Sequence, residues 1–120
     1  MATPNLMAVT TVTPKILSSS QLASGDNTVY TVPASKAARI AGLTLCNTSA
    51  APVVVSVAVI PSGGAVDGTH RVVSGYSLAA GDSTSVSEVA GAWLGAGDFL
   101  SINAGAASAV DVVATGIEFA

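Results

Sequence analysis

Pro52 and Pro61 bracket eight residues, VVVSVAVI, of which only Ser56 and Ala58 are not β-branched. A side chain branched at Cβ crowds the turns of a helix but packs well on a pleated sheet. The run is therefore a strand of ordinary length. Alternation puts Val53, Val55, Val57 and Val59 on one face, with Val54, Ser56, Ala58 and Ile60 on the other. Both faces are largely apolar, which suits burial on both sides, against a second sheet or another subunit.

The rest of the chain follows the same grammar. Strands are expected at Thr28–Val32, Ala38–Asn47, His70–Ser74, Ser83–Val89, Phe99–Asn103 and Val110–Phe119, with a weaker one at Met7–Thr13. Turn clusters such as VPAS, NTSAAP, PSGGAVDGT, AAGD and AGAAS separate them. The alanine-rich pieces carry Gly and Ser and are too short to hold a helix. Many short strands with frequent turns specify an all-β chain, an antiparallel β-sandwich of jelly-roll type. Residues 1–24 contain Pro4, Pro14 and Ser18-Ser19-Ser20-Gln21 without sustained alternation, and read as an extended N-terminal arm. Residues 25–120 then form one sandwich domain.

One motif recurs: LASGDNTVY from Leu22, LAAGDSTSV from Leu78 and LGAGDFLSI from Leu94. In each, small residues and Gly sit where a tight corner needs backbone freedom. The following Asp can bond nearby backbone N–H groups before the next strand starts. A calcium loop would crowd several oxygen ligands together. Asp26, Asp82 and Asp98 are thus expected to turn corners and not to hold a metal.

Charge narrows the function classes. Only 9% of the residues are Asp, Glu, Lys or Arg, against about 25% in an ordinary soluble domain. Half the chain is apolar but only 4% is aromatic, so Ala and Val dominate. A surface so poor in charge suits a subunit that is covered by partners. The only bases are Lys15, Lys36, Arg39 and Arg71, and the net charge is −3. That leaves no basic footprint for nucleic acid. No apolar run approaches the roughly 20 residues of a membrane span, and the N-terminus lacks the pattern of a secretory signal.

Candidates for chemistry are few. His70 is the only histidine and reads as a solvated residue at a strand start; Cys46 is the only cysteine and reads as a small buried hydrophobe. No serine lies in a nucleophile-elbow pattern, and Glu88, Asp111 and Glu118 are spread singly along strands. No catalytic residue, cofactor, metal or small-molecule substrate is expected. Trp93 fits the rim of the core, with an interface anchor as the alternative.

The run VYTVPASKAARIAGLTLCNTSAAPVVVSVAV holds a Tyr30-x-x-Pro33-x-x-Lys36 corner, a strand ending in Cys46-Asn47 and a valine-rich strand. Later come RVVSGYSLAAGDSTSVSE and WLGAGDFLSINAGAASAVDVVATGIEF, with the Gly-Asp corner and a closing Gly-Ile-Glu-Phe strand. Together these resemble the small β-sandwich virion proteins of tailed bacteriophages, from about Val29 to the C-terminus. The resemblance implies a structural role, on the capsid exterior or in the tail. The leading expectation is a capsid decoration protein, assembled in the host cytoplasm, that binds the major capsid protein on the outside of the head as a homotrimer. The alternative is a tail or baseplate component with a host-surface binding role. The interface is expected at Pro4, Leu6, Met7, Pro14, Tyr76 and Trp93.

Overall fold

The computed structural model describes residues 8–120. Among them are nine strands: β1 (Val12–Gln21), β2 (Gly25–Thr31), β3 (Ala37–Asn47), β4 (Val53–Ile60), β5 (Arg71–Leu78), β6 (Ser83–Ser85), β7 (Trp93–Leu94), β8 (Phe99–Ala104) and β9 (Val110–Phe119). A four-stranded antiparallel sheet runs β2-β8-β4-β5. A five-stranded one runs β1-β9-β3, with β6 against Thr44–Cys46 and β7 against Ala38–Arg39 along the far side of β3.

The pairings nest: β4 with β5, β3 with β6, β2 with β8 and β1 with β9. One long hairpin is rolled so that successive strand pairs alternate between sheets, which is the jelly roll. Between the sheets lie Ile40, Leu43 and Leu45 of β3, Val55 and Val57 of β4, Leu100 and Ile102 of β8, and Val110 and Val112 of β9, all fully buried. Each such side chain contributes about 1.5–3 kcal/mol by leaving water.

The valine-rich strand is central in its sheet, between β8 and β5. Val53, Val55 and Val57 join the core, and of the opposite face only Val54 is exposed. Ala58 and Ile60 are buried within the chain, and the loop after Pro61 folds back to set Gly64 against Ile60 Cγ2.

The described part of the expected arm is not an arm. Val12–Gln21 pairs with β9 over nearly its whole length, from Val12 opposite Phe119 to Gln21 opposite Asp111. As an edge strand with one face in solvent it buries little, and an irregularity between Ile16 and Ser18 breaks its alternation and tucks Leu17 toward the core. That combination hides a strand from periodicity. Pro14 is tolerated there because an edge strand has N–H groups with no ladder partner to lose.

The strand expected over Ser83–Val89 is shorter, because the chain leaves the sheet after Ser85. Val86 still donates to Leu43 O, and successive turns carry the chain back to β3, where Ala92 O accepts from Ile40 N. Val86 and Val89, three residues apart, both point into the core. The return creates β7, which alternation over two residues could not announce.

All three glycines of the repeated motif have positive φ: Gly25 at 91°, Gly81 at 71° and Gly97 at 83°. At Gly81 and Gly97 the corner is a four-residue turn, closed by Asp82 N to Ala79 O at 3.1 Å and by Asp98 N to Gly95 O at 3.1 Å. Asp98 accepts from Gly95 N and Ser62 N, and Asp82 from Ser83 N. In the first copy Asn27 holds the corner instead, donating to Ala23 O and Gly25 O and accepting from Ala23 N. Asp26 bonds across the strands to Asn103. The repeat is a way of turning corners.

Candidate functional site

In an antiparallel sheet, residues directly opposite one another share a face. On the outer face of the five-stranded sheet, Pro14 lies opposite Ile117, Ile117 opposite Arg39, and Arg39 opposite Trp93. That single row crosses β1, β9, β3 and β7. A neighbouring row sets Val12 beside Phe119, and on the other side Ile16 lies opposite Thr115. Trp93 is 57% exposed, Val12 56%, Ile16 62% and Val113 42%. Val12, Pro14, Ile16, Ile117, Phe119 and Trp93 make an apolar patch around Arg39 and Thr115, where a monomer would ordinarily carry more polar side chains.

The face is organised around Trp93. Its ring stacks on Phe119 with centroids 5.5 Å apart and planes 21° from parallel. The Arg39 guanidinium lies over the same ring, 5.3 Å from its centroid, and Arg39 Nε donates to Gly91 O at 3.5 Å. Stacking and the cation restrict the indole, so less rotamer entropy is lost when a partner covers it. Trp93 therefore does not cap the rim of the core; its ring stands on the outside of the sheet.

The other expected interface residues divide. Pro14 shares the row with Trp93. Tyr76 is on β5 of the other sheet, opposite Val55, at the mouth of a cleft between β5 and β6. Tyr76 and Trp93 thus lie on different sheets. Pro4, Leu6 and Met7 lie outside the described residues.

A polar cluster inside one end of the sandwich went unanticipated. Glu118, on the inward face of β9, is only 4% exposed. Its Oε2 accepts a 2.6 Å hydrogen bond from the Tyr30 hydroxyl on β2, and its Oε1 lies 3.3 Å from Lys15 Nζ of β1 and 3.6 Å from Lys36 Nζ. Burial pushes the carboxyl up, but the bonds from Tyr30 and Lys15 and the charges of Lys15 and Lys36 outweigh it, so Glu118 sits below the ordinary carboxylate range. Burial, then the bond to Glu118, pushes the Tyr30 hydroxyl well above its usual value. The Tyr30-x-x-Pro33-x-x-Lys36 corner and the Gly-Ile-Glu-Phe strand, far apart in sequence, meet here. The signal available in the sequence was a glutamate in a strand otherwise buried at every second position.

His70 ends a short 3₁₀ turn, Gly68–His70, with Nε2 3.9 Å from Asp67 Oδ1. Asp67 caps that turn by accepting from Thr69 N and its hydroxyl, which lowers its pKa. Cys46 is half-buried, facing outward on β3 opposite Asp111, and is not the core hydrophobe expected. It belongs to the five-stranded sheet, whereas His70 leads into β5 of the other. Among the described residues, no three His, Cys, Asp or Glu side chains come together as a metal site would need, and no helix is long and apolar enough to cross a membrane.

The chain matches no family model, no curated protein and no solved structure. Its function has to be argued from this geometry.

Proposed function

We propose that this chain is a virion structural protein, a decoration subunit of a tailed-bacteriophage capsid that binds the outer surface of the head and cements neighbouring major capsid protein subunits. The observation that carries the reading is the apolar patch on the outer face of the five-stranded sheet, with Trp93 stacked on Phe119 and in contact with Arg39. Aromatic anchors of this kind dominate the energetics of protein interfaces. The low charge of the chain and its resemblance to small β-sandwich virion proteins support the same setting. The jelly roll itself does not decide the matter, since capsid, lectin and cupin domains all use it.

A subunit that bridges two shell subunits opposes their separation by its own binding free energy. Repeated over a shell, modest contacts add up through avidity. In this reading the subunit docks as a homotrimer through the Trp93 face, with the four-stranded sheet away from the shell.

Quantitative mass spectrometry of purified virions tests the assignment. Decoration predicts a copy number equal to that of the major capsid protein or a simple fraction of it. A handful of copies per particle overturns it and moves the chain to the tail or baseplate.

A further inference from the structure

The two sheets come together along β1 and β2, but on the opposite side, between the edge strands β5 and β6, a cleft of about 160 Å³ opens into the sandwich. Its floor is apolar, made by Leu45, Val55, Val57 and Val86, with Tyr76 and Glu88 among the remaining lining residues. A dry cavity of about 150 Å³ accepts a benzene-sized guest. The cleft therefore has room for one leucine- or phenylalanine-sized side chain.

Two features say how such a group would arrive. First, β5 carries a bulge here: Val57 lies opposite Val73 but Val55 opposite Tyr76, so β5 has one residue more than β4. Gly75 takes φ 67° within the bulge, and its N–H donates to the buried Ser56 hydroxyl at 2.9 Å. The bulge lets both Val73 and Tyr76 line the cleft. Second, among the described residues β5 pairs only with β4, so its other edge offers backbone N–H and C=O groups beside the cleft. Such an edge takes an extended peptide by strand addition, with a pocket for an alternate side chain. The charge of the site is set by Glu88, which is exposed and, among the described residues, has no basic partner; Ser87 Oγ donates to it at 3.3 Å.

We infer that this cleft is a docking site for an extended segment of another polypeptide. The segment adds along β5, sinks one leucine- or phenylalanine-sized side chain onto the Leu45–Val55–Val86 floor, and places a basic side chain from the same strand face against Glu88. The inference is independent of the decoration reading, because it concerns the four-stranded sheet's edge and any chain bearing that pattern.

The test is a titration of the full chain, followed by backbone amide and methyl NMR shifts, with a capped threonine hexapeptide carrying one Leu and, two positions on, one Arg. Saturable shifts at Val73, Tyr76, Val86 and the β5 amides are expected. Replacing the peptide's Arg by Glu, or making Glu88→Gln in the protein, should weaken binding at least threefold. Isoamylamine, an ammonium with a leucine-sized tail, is the control for a site that takes small ligands. Shifts with the amine but none with the peptide overturn the strand-docking inference, as does peptide binding that leaves the cleft residues unmoved or ignores both charge changes. Because Glu88 is exposed, its substitution tests the charge without threatening the fold.

Discussion

The Tyr30 hydroxyl and Glu118 Oε2, on opposing sheets, are joined by a 2.6 Å hydrogen bond. Lys15 of β1 and Lys36 converge on the same carboxylate. A buried carboxylate with these partners is stable only while they remain. Tyr30→Phe should cost about 1.5–3 kcal/mol, the range for a hydrogen bond to a charged group, measured by urea unfolding at neutral pH.

The same cluster fixes a pH dependence. Glu118 is depressed in the folded state, so its contribution is present above the ordinary value of 4.5 and is lost as pH falls through the folded value. Tyr30 is raised, so its contribution is complete below the ordinary 10.0 and erodes as pH rises beyond it. Unfolding free energy should fall at both extremes, and Tyr30→Phe should flatten the alkaline limb. An unchanged alkaline limb in the variant would remove Tyr30 from this role.

Gly81 and Gly116 should respond differently to alanine. A Cβ on Gly81 meets nothing within 4 Å, but φ is 71°. Gly81→Ala should therefore cost about 1–2 kcal/mol from backbone strain alone. A Cβ on Gly116 would collide with Arg39 O and press on Leu17. Gly116→Ala should lose at least about 2 kcal/mol, since neither β3 nor β1 can move away cheaply. Thermal unfolding of the two variants distinguishes strain from collision.

Removing residues 1–21 should cost the fold, because it strips the partner strand from β9 and takes Lys15 from Glu118. Circular dichroism melts of the truncated chain should show a loss of cooperativity or of many degrees in Tm. A shortened chain that melts like the full one would make β1 dispensable.

How much of this was legible depended on how far each residue faced the core. Strands β3, β4, β8 and β9 carry buried side chains at regular spacing, and their expected ranges fall within a residue or two of those found. β1 was hidden because this edge strand with a bulge packs one apolar side chain, Leu17, against the core and otherwise presents Val12, Pro14 and Ile16 to solvent. The Gly-Asp corners were legible because positive φ selects glycine locally. The Trp93 face was not: Pro14, Ile117, Arg39 and Trp93 come from four strands, and only the register puts them in one row. Glu118 looked like an isolated acid for the same reason, since its partners Tyr30, Lys15 and Lys36 are distant in sequence.

Hydroxyl-radical footprinting of Trp93, in the free protein and in purified particles, tests most directly whether this face is what assembly covers. The account predicts that Trp93, 57% exposed in the free subunit, is oxidised at least about tenfold more slowly once docked. Equal oxidation rates in the two states would leave the apolar face uncovered in the particle and contradict the proposed role.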